Sequence, residues 1–321
     1  MDSVRTSFLI ISDTHGGDIP HADHLPVDVA IHCGNLTQES TIEEFRTALE
    51  RIQDIQASLK IVIPGNHDFT MDVPSFQTTL KKASMTLDSP DVRSIYGDFG
   101  EAWQMFDSMK SQGIHILQEG TRQFELDNGA LLSVYASPFT PSTQDGWGFN
   151  YSPGQRKFDM PLGVDVAITH GPPQGIMDYT HSNRKAGCPN LFRAVARAQP
   201  KLHCFGHITE GWGAKLVSWR DEVDEKSCRF TVAVDEDEST VIEKISTLST
   251  TRFDTVSLAQ RKLDKRNELE ARGYAAASHC ATDARPLQPG QTLFVNASIE
   301  GSVRDIPQNL PWVVEIDLPR K

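Results

Sequence analysis

Short apolar runs, each followed at once by polar residues and glycine, recur along the first two thirds of the chain. The first run is FLII at residues 8–11, and it leads directly into SDTHGG. Continuous apolar runs of this length are typical of strands that are buried on both faces. The pattern therefore predicts a central sheet whose strands carry polar side chains at their carboxyl ends.

The remaining elements follow from the same criteria. The pattern predicts strands at 27–32, 60–63, 114–117, 122–126, 130–136, 164–168, 202–205, 292–297 and 312–317, and helices at 40–57, 191–198 and 257–272. Thr41 and Glu44 have the spacing of a capping box at the start of the first helix. The run Asp127-Asn128-Gly129 favours a hairpin turn. Strand, glycine turn and helix alternate along the chain, which indicates a layered α/β architecture.

The character of the chain changes between about residues 220 and 289. Acidic runs at 221–225 and 235–238 flank a strand-like stretch at 229–234, and the helix predicted at 257–272 is highly charged. Charge runs of this kind are usually solvated. We interpret this segment as a charged insertion, packed on the main body or mobile beside it, in a single domain that spans 1–321.

Charge and composition restrict the partners. The net charge of −12 argues against a nucleic-acid polymer or an anionic membrane as partner, but a local site can still bind a small, phosphorylated substrate. No apolar run approaches the roughly 20 residues of a membrane-spanning helix. The first residues, MDSVRTSF, contain no apolar signal core, and five scattered cysteines are typical of free thiols. These features predict a cytoplasmic protein and leave its oligomeric state open.

Five predicted strand ends carry side chains that can bind metal ions. In chain order these are Asp13 and His15, then Asn35, then Asn66 and His67, then His170, and finally His207. Because ligands of open α/β sheets bind at the carboxyl ends of the strands, we expect these side chains to share one site.

The ordered motifs D-x-H, G-N, G-N-H-D, H-G-P-P and G-H-x-T resemble those of the calcineurin-like metallophosphoesterases. The family pattern is D-x-H, G-D, G-N-H-[DE], H and G-H-x-H. The stretches THGPP, CFGHITEGWG, TLFVNAS and NLPWVVEIDLP resemble the small metallophosphoesterase-domain branch, which includes nucleotide phosphodiesterases. The resemblance covers residues 7–219 and 290–319. It implies a four-layer αββα sandwich with two metal ions at the carboxyl ends of the strands.

The resemblance also implies roles for individual residues. The first metal would take Asp13, His15, residue 35 and residue 209, and the second would take residue 35, Asn66, His170 and His207. His67, oriented by Asp68, would bind the phosphate and protonate the leaving group. Two ions about 3.5–4 Å apart would activate a bridging hydroxide for in-line attack on phosphorus.

Two positions depart from the family pattern, and both belong to the first metal. Asn35 stands where the family has the bridging aspartate, and Thr209 stands where it has histidine. Two dications this close repel by about 18 kcal/mol gross at an effective dielectric of 20, which an amide offsets less than a carboxylate does. We therefore expect one weakly held ion (Mn, Zn, Fe or Mg) and a doubtful second one. A site without metal is the alternative.

Thr209 and Trp212 are candidate substrate-pocket residues. Trp212 is expected either to stack on a planar group such as a base or to be an ordinary packing residue. Trp147 and Phe149, in the glycine-rich run at 137–153, are expected to form a lid or to anchor the core. Among the histidines without ligand spacing, His24 and His181 lie in segments nearest the predicted mouth.

Three functions follow from these expectations. The first is a hydrolase of a small phosphodiester, with a nucleotide as one candidate, that works with a degenerate metal site. The second is a repurposed family member that performs non-phosphoryl, metal-independent chemistry on a small organic metabolite. The third is a ligand-binding protein that has lost catalysis.

Overall fold

The computed structural model describes residues 2–19, 25–87, 89–144, 146–221, 228–303 and 306–321. Its strands are β1 (Ser3–Ile11), β2 (Val27–His32), β3 (Ala57–Val62), β4 (Ile114–Ile116), β5 (Gly120–Glu125), β6 (Leu131–Ser137), β7 (Thr140–Pro141), β8 (Asn150–Tyr151), β9 (Val166–Thr169), β10 (Leu202–Phe205), β11 (Gly213–Trp219), β12 (Val234–Lys244), β13 (Ala275–Ser278), β14 (Gln291–Asn296), β15 (Glu300–Val303), β16 (Ile306–Gln308) and β17 (Trp312–Pro319). Its α-helices are α1 (Ile42–Asp54), α2 (Val73–Lys82), α3 (Pro90–Tyr96), α4 (Glu101–Asp107), α5 (Pro189–Ala198), α6 (Phe230–Ala233) and α7 (Val256–Arg272).

Most of these strands form two mixed sheets. The six-stranded sheet has the order β13-β17-β1-β2-β3-β4, and the seven-stranded sheet has the order β12-β11-β14-β10-β9-β6-β5. Strands β1 to β4 run parallel to one another, as do β6, β9, β10 and β14. Their carboxyl ends therefore collect at one edge of each sheet.

The two sheets pack face to face. Phe8 and Ile10 of one sheet share a buried cluster with Val134 and Ile168 of the other. Helices α1 and α4 cover the outer face of the six-stranded sheet, and α5 covers the outer face of the seven-stranded sheet. This arrangement of helix, sheet, sheet and helix confirms the four-layer αββα prediction.

Local sequence signals explain two of the elements. The Thr41 hydroxyl accepts a hydrogen bond from Glu44 N at 3.2 Å, and the Glu44 carboxylate accepts one from Thr41 N at 2.9 Å, so the predicted capping box begins α1. The predicted hairpin is formed by β5 and β6, which pair antiparallel around Gly129 with its φ of +86°.

The segment 220–289 belongs to both sheets. Strand β12 pairs antiparallel with β11, and β13 pairs parallel with β17. The strand predicted at 229–234 is wrong, because Phe230–Ala233 forms the short helix α6. The acidic run at 235–238 lies in β12, whereas most of the run at 221–225 lies outside the described residues. No helix in the described part of the chain is long and apolar enough to cross a membrane.

Candidate active site

The structure brings the predicted site residues together where the two sheets meet. Asp13 and His15 follow β1, Asn35 follows β2, Asn66 and His67 follow β3, His170 follows β9, and His207 follows β10. Backbone hydrogen bonds join successive loops: Asp13 N donates to Gly34 O at 2.9 Å, and Gly206 N donates to His170 O at 3.0 Å. Residues that are distant in sequence therefore share one site.

Four of these residues have left-handed backbone conformations. The φ angles of Asp13, His15, Asn35 and His207 are 55°, 48°, 56° and 66°. Non-glycine residues rarely adopt this region, and each instance costs about 1–2 kcal/mol. The backbone of the site is therefore strained at the residues that follow the strand ends.

Two glycines allow the loops to approach each other. A Cβ atom on Gly65 would collide with Asn35 Oδ1, and one on Gly206 would collide with Ser12 Oγ and Asp13 Oδ2. A larger residue at either position would push apart the loops that carry the polar side chains.

The Asn35 amide is bonded to its neighbours at both ends. Its Oδ1 accepts a hydrogen bond from His67 N at 3.0 Å, and its Nδ2 donates one to Asp13 Oδ1 at 2.9 Å. Because the backbone N–H of His67 can only donate, the amide orientation follows from this bond. The second Asp13 oxygen accepts from His207 N at 2.9 Å. The carboxylate of Asp13 is therefore satisfied within the protein.

His15 contacts a carboxylate that sequence analysis missed. Its Nδ1 lies 3.1 Å from Thr37 O, and its Nε2 lies 3.4 Å from Glu300 Oε2. Burial alone would lower the pKa of His15, but the contact with Glu300 and the charge of Asp13 outweigh burial, so the pKa is raised. The same contact lowers the pKa of Glu300. No motif marks Glu300, which lies on β15 at the far end of the chain.

Asn66, His170 and His207 form a compact group of uncharged side chains whose oxygen and nitrogen atoms can donate electron pairs. Asn66 Oδ1 lies 2.9 Å from His170 Nε2 and 3.0 Å from His207 Nδ1. His170 Nδ1 lies 2.8 Å from Cys33 O and therefore carries the proton, which leaves the Nε2 lone pair facing Asn66. Burial lowers the pKa of both histidines to about 3, so both are neutral at pH 7.

These distances test whether the site fits the metals implied by the family resemblance. Among the residues the structure describes, no three His, Cys, Asp or Glu side chains are placed to hold a metal ion. The set implied for the first metal does not fit, because both ring nitrogens of His15 already face oxygen partners, Thr37 O and Glu300 Oε2. Asn35 also turns its Nδ2 donor, and not an oxygen, towards Asp13.

Three members of the set implied for the second metal, Asn66, His170 and His207, have a spacing compatible with one ion, whereas the fourth, Asn35, is bonded to Asp13 and to His67 N. Ligands bound at about 2.0–2.1 Å around one zinc ion are separated by about 3.0–3.4 Å, close to the spacing seen here. With Nδ1 protonated, the His170 Nε2 lone pair faces the Asn66 amide, so the imidazole nitrogen and the amide oxygen can both direct lone pairs at a shared cation.

The roles implied for His67 and Asp68 need one correction. His67 Nδ1 lies 2.9 Å from Gln38 O, so this carbonyl orients the ring. Asp68 is fully buried and accepts hydrogen bonds from Leu36 N, Gly65 N, and both the backbone and hydroxyl of Thr37. Burial raises the pKa of Asp68 against the opposing effect of these bonds. Asp68 therefore fixes the loops around His67 rather than its ring.

The aromatic candidates separate into site and core residues. The Trp147 ring lies 4.1 Å from the His67 ring, centroid to centroid, whereas Phe149 is buried in the cluster beneath α1. Trp212 is 2% exposed, donates from Nε1 to Leu310 O at 2.9 Å and packs on Trp312. Stacking of Trp212 on a ligand is therefore contradicted by its burial in the core.

Glu210 connects two of the other candidates, Thr209 and His181. Thr209 lies in a short 3-10 turn, and its hydroxyl donates to Glu210 Oε2 at 3.4 Å. Glu210 also accepts from the backbone of His181 at 2.6 Å. His24 lies outside the described residues.

Comparison with known proteins agrees with the geometry. The family model described as calcineurin-like phosphoesterase matches residues 6–210. Metallophosphoesterase domain-containing protein 1 of Homo sapiens is 33% identical over 232 residues, which cover 70% of this chain and 66% of that protein, and the Mus musculus protein gives the same values. A UPF0046 protein of Caenorhabditis elegans is 32% identical over 221 residues, covering 66% of this chain and 53% of that protein. The chain thus spans two thirds or less of the length of these relatives. Since the family model covers well over half of it, the chain belongs to the calcineurin-like phosphoesterase family.

Proposed function

We propose that this protein hydrolyses a small phosphodiester with the help of one divalent metal ion held by Asn66, His170 and His207. The observation that carries the proposal is the approach of Asn66 Oδ1 to both imidazoles, at 2.9 and 3.0 Å. Membership in a family that generally uses divalent metals supports it. When bound, such an ion polarises a phosphoryl oxygen and lowers the pKa of a bound water.

His67 is the proposed proton donor to the leaving group. The Gln38 carbonyl holds its ring, which lies 4.6 Å from the His15 ring and 4.1 Å from the Trp147 ring. Its backbone N–H is held by Asn35, and the neighbouring Asp68 fixes the loop. These contacts hold the His67 imidazole in place. A general acid in a fixed position contributes about 100-fold or more to the rate.

His15 is proposed to supply positive charge where the first metal of the family would lie. Its pKa is raised because Glu300 and Asp13 favour the charged form. A protonated imidazole next to the phosphate attracts the anion without a second metal ion.

One observation favours a second candidate, metal-independent chemistry on a small organic molecule. Asn35 satisfies the Asp13 carboxylate at 2.9 Å, so this part of the site is stable without a cation. Under this alternative His67 remains essential, whereas chelation has no effect.

The test uses bis(p-nitrophenyl) phosphate and protein stripped with EDTA, then supplied with Mn²⁺ or Zn²⁺. We expect His67→Ala and His170→Ala to reduce turnover by about 100-fold or more, while His115→Gln, a change on the distant strand β4, stays within about twofold of wild type. Hydrolysis of this diester that survives chelation and His170→Ala but requires His67 would remove the metal ion from the proposal. Hydrolysis that is indifferent to both substitutions would exclude the proposed site.

A further inference from the structure

A groove of about 560 Å³ opens beside His67. Helix α2 forms one wall, and the described residues between 142 and 152, including strand β8, form the other. Trp147 lines the groove and also contacts the His67 ring, with 4.1 Å between ring centroids. Trp147 is therefore shared by the groove and the proposed hydrolytic site.

Hydrogen bonds tie this groove to the loop that carries the site residues. Gly148 N donates to Asn66 O at 2.9 Å, and Phe149 N donates to Asp72 Oδ2 at 2.7 Å. Asp72 also caps α2 by accepting from Ser75 N at 3.2 Å. Both walls are thus joined to the chain segment 66–72, which contains His67.

The side chains that line the groove are rich in hydroxyl groups. Among the described lining residues, those with aliphatic hydroxyls are Ser75, Thr78, Thr79, Ser142, Thr143 and Ser152. Ser75 donates its proton to Asp72 Oδ2 at 2.7 Å, and Thr78 donates its proton to Pro74 O at 2.9 Å. Because these protons are already used, the two oxygens are left to accept hydrogen bonds from a ligand.

The amide of Asn150 is engaged within the protein. Its Nδ2 donates to Gln144 O at 3.2 Å, and its Oδ1 accepts from Thr140 Oγ1 at 3.2 Å. One donor and one acceptor of this amide are therefore already used. Hydroxyl donors on a ligand match the Ser75 and Thr78 oxygens, and a carbon face matches the Trp147 ring.

We propose that this groove binds a polyhydroxylated group, a sugar or a similar polyol, that forms one side of the phosphodiester substrate. Hydroxyls of the polyol donate to Ser75 and Thr78, and its C–H face lies on Trp147. This inference rests on the proposed function, since it places the ester phosphate next to His67.

A binding experiment tests the groove without requiring turnover. The probe is methyl β-D-glucopyranoside, observed by saturation-transfer NMR. Thr78→Val is the test variant, and Thr47→Val is its matched control, because Thr47 donates to the carbonyl four residues earlier in α1, as Thr78 does in α2. We expect binding to the wild type and to Thr47→Val, and binding to Thr78→Val about fivefold weaker, the effect of one neutral hydrogen bond. Absence of binding to the wild type, or equal binding to Thr78→Val, would overturn the proposal.

A kinetic experiment links the groove to the site. Methyl p-nitrophenyl phosphate and the p-nitrophenyl diester of glucose 6-phosphate share a leaving group and differ only in the polyol. We expect KM to be about tenfold lower for the glucose diester, and Thr78→Val to narrow this difference while Thr47→Val preserves it. Equal KM values, or binding of adenosine through its base in the NMR assay, would exclude a polyol site. If neither diester is hydrolysed, the proposed function fails. The glycoside experiment still shows whether the groove binds a polyol.

Discussion

Asn35 Nδ2 donates a hydrogen bond across 2.9 Å to Asp13 Oδ1, at the position where the family resemblance predicts a metal-bridging carboxylate. An aspartate at residue 35 would place two carboxylates against each other and would require a cation between them. The amide removes that requirement, because its N–H group donates a hydrogen bond to the negatively charged Asp13 carboxylate. At this position the chain therefore has an internal hydrogen bond in place of the bridging carboxylate that the resemblance predicts.

Stability should reveal this replacement. We expect Asn35→Asp to lower the free energy of unfolding by about 3 kcal/mol in EDTA at pH 7, because a charged hydrogen bond is lost and like charges meet. Added Mn²⁺ or Zn²⁺ should restore much of the loss by binding the native state. Urea denaturation with and without metal measures both effects. The control Asn35→Ala should be destabilised and should gain no more stability from metal than the wild type does. A gain in Asn35→Asp no larger than that of the wild type would contradict the argument.

The metal content of the purified protein provides a second test. We expect inductively coupled plasma mass spectrometry to find at most one equivalent in the wild type, and to find none after His207→Ala removes one of three donors. The double substitution Asn35→Asp with Thr209→His should raise the stoichiometry towards two. A wild type that already carries two equivalents would show that the first set binds metal despite the bonds described here.

Acid should destabilise the protein through its buried neutral histidines. His203 in β10 is fully buried, lies 2.9 Å from Thr169 Oγ1, and has its pKa lowered by burial to about 3. Below pH 6.5 the unfolded chain binds a proton at this residue and the native protein does not, so stability present above pH 6.5 is lost as the pH falls towards 3. The slope is about 1.4 kcal/mol per pH unit for this residue.

Urea denaturation between pH 7 and pH 5 measures that slope. We expect His203→Gln to make it shallower by about one proton, whatever its effect on stability at pH 7. His181→Gln, a change at an exposed side chain, is the matched control and should leave the slope close to that of wild type. An unchanged slope in His203→Gln would mean that His203 already takes up a proton in the native protein.

A single methyl group should separate the loops of the site. In Gly65→Ala the new Cβ collides with Asn35 Oδ1 and lies 2.7 Å from His170 Cε1. We expect a loss of about 1–3 kcal/mol in the free energy of unfolding, together with loss of metal binding. Gly171→Ala is the milder comparison, since its nearest neighbour is the Thr140 side chain at 3.1 Å. Normal metal affinity in Gly65→Ala would show that the close approach is not needed.

The strands that deliver the site were predictable from the sequence because both of their faces are buried. The predicted and observed bounds agree for Val27–His32 and for Leu202–Phe205, where unbroken burial produces a short apolar run. Strand β12 is largely exposed and lies at a sheet edge, so its acidic residues have no such pattern. The four residues of α6 are too few to show helical periodicity.

It was harder to predict the contacts within the site than to predict which residues belong to it. The resemblance identified Asp13, Asn35 and Asp68 as site residues, but it could not indicate that Asn35 bonds Asp13 or that Asp68 serves the loops. These are consequences of three-dimensional geometry. Glu300 meets His15 only because β15 follows the last parallel strand of the opposite sheet, and no local pattern carries that information.

The left-handed backbone at Asp13, His15, Asn35 and His207 limits how far this protein can be improved as a scaffold. Glycine at any of these positions would relax the chain, and removal of each side chain would erase part of the chemistry. Selection for thermal stability alone should therefore favour variants that are more stable but have lost activity. Engineering for robustness should begin elsewhere, on the exposed faces of α7 and the edge strand β12.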